Sequence, residues 1–341
     1  MIGKKALLGQ LLGTSGMAAG LLRAGGARRD ELPILAYHRV VDMGDEAAYP
    51  RDPELVSATV ADFEQQMRFV REHFNVVKLA DVIEHIEHGR ALPPRSLALT
   101  FDDGHLDNYT HAYPVLRRLG LSACIFLSTD YIGTRRMFWF DRVALLLYFA
   151  PAGKWQFGDV SVQLPAQGVN ERREAAGAVL RRLKQVPDAQ RLACLDAMEQ
   201  ALAAHVPPQA VPERCALNWD EVREMARNGI EFGSHTCSHP ILTRLDDAAL
   251  ERELAASAET IAHETGTPAP TICYPIGKVG AFDDRVIQAS RRCGYRLGIS
   301  YEPGLNRLRR LQPFALRRLA VERYTALPFF KGMLALPSLL A

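Results

Sequence analysis

The segment SLALTFDDGHLDNYTHAYPVLRRLGLSACIFLS, residues 96–128, decides the fold. SLALTF (96–101) is an unbroken apolar run of strand length, and Asp102, Asp103 and Gly104 turn the chain away from it. Residues 109–119 read as a helix that stops at Gly120, and SACIFLS (122–128) is a second apolar strand. One strand, one helix and one further strand make a unit that packs as parallel neighbours.

The same rhythm extends in both directions. Upstream, LPILAYH (32–38) predicts a buried strand, a helix follows with Val60, Phe63, Met67, Val70 and Phe74 on one stripe, and VVKL (76–79) is a short strand leading into a helix to about Gly89. Downstream, helix 218–229 has Asn218 in position to cap it. IEFGSH (230–235), TICYP (271–275), YRLGIS (295–300) and FALRRLAV (314–321) predict strands, with helices over 246–265 and 282–292 between them. Repetition of this unit implies an α/β protein with a mostly parallel sheet, open or closed into a barrel. The rhythm changes between 135 and 217, where three helical patterns surround one hairpin candidate at 154–164. The expected organisation is a basic amphipathic segment over 1–30, the strand–helix body over 31–134 and 218–322, a mainly helical insertion over 135–217, and an apolar tail over 323–341.

Composition supports a packed core. The chain has 341 residues, 48% apolar and 23% charged, which excludes disordered and collagen-like classes. Six cysteines without a CxxC pair read as buried free thiols rather than a disulfide scaffold. The net charge of +2 hides a polarity: residues 1–29 carry +5, residues 285–341 carry +9, and the body between them carries −12. An acidic body does not suit nucleic acid. Basic, partly apolar ends suit peripheral association with an anionic membrane face. No stretch has the length and apolarity of a spanning helix, since 6–22 is interrupted by Gln10, Thr14, Ser15 and glycines. The expected location is the cytoplasm, peripheral to the inner membrane; the alternative is the periplasm, reached through a weak N-terminal signal.

In a parallel α/β fold the chemistry gathers where strands end. The polar residues at those ends are His38, Asp102 and Asp103, His235 and His239, and Tyr274 with Pro275. Two adjacent carboxylates diverge, so one can bind a metal while the other meets a water. Histidines at i and i+4 can reach one ion from a single turn, and two His with one Asp leave open coordination positions, as a catalytic centre requires. That donor set suits zinc and also admits Co, Ni, Mn or Fe. His105 and His111 read as local loop and helix residues. The arginines of 307–318 read as a solvated surface or a phosphate or lipid head-group site. Phe138, Trp139 and Phe140 read as insertion packing or as the border of a sugar site. No GxSxG supports a serine hydrolase.

Together TFDDG (100–104), SHTCSHP (234–240) and CYPIG (273–277) resemble, in order, three motifs of the polysaccharide deacetylases with the NodB homology domain, carbohydrate esterase family 4. YHRV (37–40) and GLNRL…ALRRLAVE (304–322) resemble a subgroup associated with bacterial surface polysaccharides. The resemblance spans about residues 32–320. It implies a distorted (β/α)7 barrel and metal-dependent removal of N-acetyl groups from amino sugars; with the subgroup likeness and the basic ends, the expected substrate is a bacterial surface polysaccharide or its lipid-linked precursor. It also implies Asp102 as general base, Asp103, His235 and His239 as ligands of one divalent metal, and an oxyanion contact near Tyr274, Pro275 and Ile276. Two positions depart from the pattern. Cys273 stands where the family has an arginine that steadies the base, and LGIS (297–300) lacks the histidine that protonates the leaving amine. His38, at another strand end, is the expected replacement acid. The competing expectations are a deformylase or deacetylase of a small sugar conjugate, and an inactive glycan-binding scaffold.

Overall fold

A computed structural model describes residues 30–337 together with Gly13, Thr14 and Gly20. The amphipathic segment expected over 1–30 therefore lies almost wholly outside the described residues. Seven parallel strands close into a barrel: β1 (Ile34–Tyr37), β2 (Ser96–Phe101), β3 (Cys124–Leu127), β4 (Glu231–Ser234), β5 (Thr271–Cys273), β6 (Leu297–Pro303) and β7 (Leu316–Ala320). They neighbour one another in chain order, and β7 pairs back onto β1 through Leu319↔Leu35 and Ala320↔Ala36. The barrel is distorted. β4 meets β5 at the single rung Ser234↔Ile272, and the register shifts between Ile299 and Pro303 where β6 meets β7.

Continuous burial explains the strands. Every residue of β2 is buried, as expected of a parallel strand covered on both faces. Helices α1 (Val60–His73), α2 (Leu79–His88) and α3 (Tyr113–Leu119) cover the first strands. The α1 stripe meets the barrel where the Phe63 ring packs against Tyr37 and Phe101, with centroids 5.3 and 5.8 Å away. Between β3 and β4 the chain makes α4 (Trp139–Phe149), an antiparallel hairpin of Gly153–Phe157 with Val160–Leu164, α5 (Val169–Leu183) and α6 (Asp188–Leu202). Helix α7 (Trp219–Arg227) starts at Asn218 in a capping box with Glu221. Helices α8 (Asp247–Thr265) and α9 (Asp284–Arg292) begin at Asp246 and Asp283, whose side chains accept the free N–H groups of the first turn. Helix α10 (Leu327–Ala335) buries Phe330 against Phe69 of α1, so the described part of the apolar tail packs on the body. Among the described residues no helix is long and apolar enough to cross a membrane, and all six cysteines are free.

Candidate active site

The ends of β1, β2, β4, β5 and β7 converge on one buried cluster. Asp102 and Asp103 follow β2, where the backbone at Asp103 is forced to φ +73° and Gly104 to φ +78°. A Cβ on Gly104 would stand 2.7 Å from Leu127 Cδ2, so glycine is needed for the turn to lie against β3. The divergence expected of neighbouring carboxylates is present. Asp103 Oδ1 faces His239 Nε2 at 3.3 Å and His235 Nε2 at 3.5 Å, whereas Asp102 turns toward β7.

The loop between the two histidines is held from outside. Thr236 and His239 both have positive φ, at +67° and +57°. Such backbone costs roughly 1–3 kcal/mol per residue and needs compensation. Glu253 of α8 supplies it, accepting from Cys237 N at 2.8 Å, Ser238 N at 2.9 Å and Ser238 Oγ at 2.6 Å. Cys237 thus faces Glu253 and is no ligand. His235 donates from Nδ1 to the Cys273 carbonyl at 2.6 Å, which leaves a lone pair on Nε2 facing Asp103.

The ligand atoms of Asp103, His235 and His239 lie within 4.8 Å of one another. Asp103 Oδ1 is buried without a hydrogen-bond partner. A buried anionic oxygen left bare beside two imidazole nitrogens is poor protein packing and good metal coordination. The residues present therefore fit a divalent ion. Burial lowers His239 to about 3, against the pull of Asp103, so it stands as the neutral ring a metal requires. Burial raises Asp103, yet His105, His239 and His235 outweigh it and hold the carboxyl well below its ordinary value.

Asp102 has the opposite surroundings. Arg318 donates to Oδ1 at 2.8 Å and Oδ2 at 2.7 Å in a bidentate pair, and its Nη2 also lies 3.1 Å from Cys273 Sγ. Arg318, from β7, thus meets the Asp102 carboxylate beside Cys273, the position at which the sequence lacks the arginine expected from the family pattern. Burial pushes Asp102 up, but the guanidinium charge and its hydrogen bonds bring the carboxyl down to about 2. This corrects the expectation of a solvated arginine run: Arg317 is exposed, whereas Arg318 is 2% exposed. His38, after β1, reaches the same carboxylate, with Nε2 3.8 Å from Asp102 Oδ2. Burial lowers His38, while Asp102 and Asp103 pull it back up.

Two expectations need revision. Tyr274 is not available as a substrate group. Its N–H bonds the Ile299 carbonyl at 3.0 Å, its ring stacks on Phe282, and its hydroxyl donates to the Phe314 carbonyl at 3.1 Å. Gly298 makes room for that hydroxyl, since a Cβ there would stand 2.3 Å from it. Pro275 has no N–H to give, so of the three residues Ile276, at φ +65°, is left with a free backbone donor. His105 is no ordinary loop residue: it has no exposure and its Nε2 lies 2.9 Å from Asp103 Oδ2. Phe138, Trp139 and Phe140 are buried, as packing requires.

The model of the family described as polysaccharide deacetylase matches residues 89–298, more than half of the chain. YxkH of Bacillus subtilis (strain 168), whose name places it among polysaccharide deacetylases, is 21% identical over 275 residues, covering 80% of this chain and 66% of that protein. The poly-beta-1,6-N-acetyl-D-glucosamine N-deacetylase of Escherichia coli (strain K12) is 32% identical over 84 residues, 24% of this chain and 12% of that one. This chain therefore spans just under two thirds of the first relative and a small part of the second. The solved structure of the Streptococcus pyogenes deacetylase PplD in complex with acetate shares the fold, with a TM-score of 0.58 at 17% identity over 87% of this chain and 95% of that one. By the extent of the family match, the chain belongs to the polysaccharide deacetylase family.

Proposed function

We propose that the chain is a divalent-metal-dependent hydrolase that removes N-acetyl groups from amino sugars of a bacterial surface polysaccharide or its lipid-linked precursor. The observation that carries this reading is the bare Asp103 Oδ1 facing two imidazole nitrogens, one residue from a carboxylate held ionised by Arg318. The similarity to a deacetylase of poly-N-acetylglucosamine supports an N-acetylated glycan as substrate.

Asp103, His235 and His239 would hold the ion, with zinc the best fit to an N2O donor set. When bound, the metal polarises the amide carbonyl and acidifies the attacking water. Asp102 accepts the water's proton. Its carboxylate, brought down to about 2, is a weak base, so it works only on a strongly acidified water. The Arg318 fork keeps it ionised and aimed. As the water oxygen bonds to the acetyl carbon, the Ile276 N–H is placed to share the developing negative charge. His38 then protonates the sugar nitrogen as the C–N bond breaks, giving acetate and a free amine. Its N–H on the main chain donates to Ser57 Oγ at 2.9 Å and its ring meets Tyr301 edge-on, so the imidazole is fixed beside Asp102.

The test is metal content together with acetate release from N-acetylglucosamine oligomers by wild type, Asp102→Asn and Asp103→Ala. About one metal per wild-type chain is expected, retained by Asp102→Asn and lost by Asp103→Ala, with acetate release lost in both variants. Metal-free protein that still releases acetate would refute the reading. The basic ends support a cytoplasmic, membrane-peripheral location, which fractionation of the full chain at low and high salt tests.

A further inference from the structure

We propose that His105 is a positioning residue for the Asp103 carboxylate, and that His105 is itself held by helix α4 through Arg39. The helical excursion between β3 and β4 would then set the geometry of a metal site to which it contributes no ligand. This rests on the metal-dependent reading above.

The two oxygens of Asp103 have separate surroundings. Oδ1 faces His235 and His239, whereas Oδ2 lies 2.9 Å from His105 Nε2 in a close contact that departs from hydrogen-bond geometry; neither Oδ1 nor Nε2 completes a hydrogen bond among the described residues. A carboxylate on a backbone at φ +73° can swing both oxygens toward an ion unless the second one is anchored. The tautomer of His105 provides the anchor. Its Nδ1 lies 3.3 Å from Arg39 Nη2. A guanidinium can only donate, so Nδ1 must accept and the ring proton must sit on Nε2, the atom facing Asp103. Arg39 thus fixes which face of the imidazole is the donor.

Arg39 is in turn fixed by the excursion. It is ion-paired with Asp141 of α4, and its Nη1 donates to the Tyr49 hydroxyl at 3.0 Å. Asp103, His105, Arg39 and Asp141 are all at most 1% exposed, so the chain of contacts runs through a region shielded from solvent. Phe138, just before α4, packs edge-on against the His105 ring at 4.8 Å between centroids. The far end of the excursion is pinned to the same turn. Leu106 N donates to Cys215 O and Leu217 N to Gly104 O, both at 2.9 Å, which makes a β-bridge between His105 and Ala216. Both ends of the excursion grip the residues that carry Asp103. A ring chosen only to fill space would not need one nitrogen against a guanidinium and the other 2.9 Å from a carboxylate oxygen.

The test is Co2+ titration of the full chain, read by calorimetry and by the visible d–d absorption band, with thermal unfolding recorded for each variant. His105→Phe fills the space without donating and should bind Co2+ roughly 10–100-fold more weakly, with a shifted band. His105→Gln, which can donate to Asp103 and accept from Arg39, should stay close to wild type. Asp141→Asn should also weaken binding, but should add nothing in the His105→Phe background if it acts through that ring. Should His105→Phe fail to fold, His105→Leu takes its place with the same expected loss. Co2+ affinity and band unchanged in folded His105→Phe would overturn the proposal, as would full additivity of the two substitutions. Wild type that binds no Co2+ would instead sink the metal reading on which the proposal rests.

Discussion

Arg318→Met is the most informative single change. Methionine keeps the length and apolar stem of the side chain and removes the fork that meets Asp102 at 2.8 and 2.7 Å. In the native protein Asp102 stands at about 2. Against the ordinary value of about 3.9, the folded carboxyl is depressed, which corresponds to about 2–3 kcal/mol of stability. That contribution is complete above pH ~4 and lost as pH falls through about 2. Without Arg318, the largest opponents of burial are gone and only the weaker pull of His235 and His38 remains, so the carboxyl should rise above its ordinary value and the sign reverse. The variant carries a cost at neutral pH that is relieved as the pH falls toward 4. Removing one partner of a buried ion pair costs about 3–5 kcal/mol, so the neutral-pH loss should be in that range. Chemical denaturation at pH 7, 5.5 and 4 measures it, and the gap between wild type and variant should narrow with acid. The acid limb of kcat/KM should move upward in the same variant. Arg318→Lys, which keeps a charge but not the fork, should lie between the two. A gap that does not change with pH, or an unmoved acid limb, would refute the reasoning.

Three further outcomes are expected. His38→Gln should lower kcat by roughly 10²–10⁴ while metal content by mass spectrometry stays at the wild-type level, because the proposed acid lies beside Asp102 and outside the candidate ligand set. Glu253→Ala frees two loop N–H groups and the Ser238 hydroxyl, and should weaken metal binding by roughly 10–100-fold, as a titration with a competing chelator would detect. In the chelator-stripped protein, burial holds His239 down to about 3 against an ordinary value of about 6.5. The unfolded chain takes up the proton first, so stability should be intact above pH ~6.5 and decline progressively toward pH 3, as melting temperatures across that range would show.

The barrel was legible because its strands are continuous apolar runs and its helices carry caps. The convergence of Asp103, His235 and His239 into one candidate ligand group was legible because they stand at strand ends with ligand-type side chains. His105 was not, because a histidine after a tight turn has no periodicity to place it. Its partner Arg39, and the Asp141 that holds Arg39, are 66 and 36 positions away in the chain. Arg318 did carry a signal. In the strand LRRLA it shares parity with Leu316, so one arginine of the pair had to face the barrel interior. The position read as surface because arginine is so often exposed, and because the carboxylate it serves lies on another strand, 216 residues earlier. Tyr274 was misplaced for a related reason. The sequence shows a tyrosine at a strand end, but not that Gly298, on the neighbouring strand, leaves space for its hydroxyl.

Closure of the barrel has a consequence for the order in which the protein becomes active during synthesis. The proposed metal ligands are complete once the chain has emerged past His239, whereas the counter-charge for Asp102 arrives with β7, about eighty residues later. Until that strand docks between β6 and β1, Asp102 is either exposed to water or buried without compensation. A nascent chain that has gained Glu253 and Cys273, and so the groups that hold the ligand loop, would still lack the arginine that keeps Asp102 ionised. Amide hydrolysis would begin only when the last strand seals the ring, so turnover itself reports that the barrel has closed.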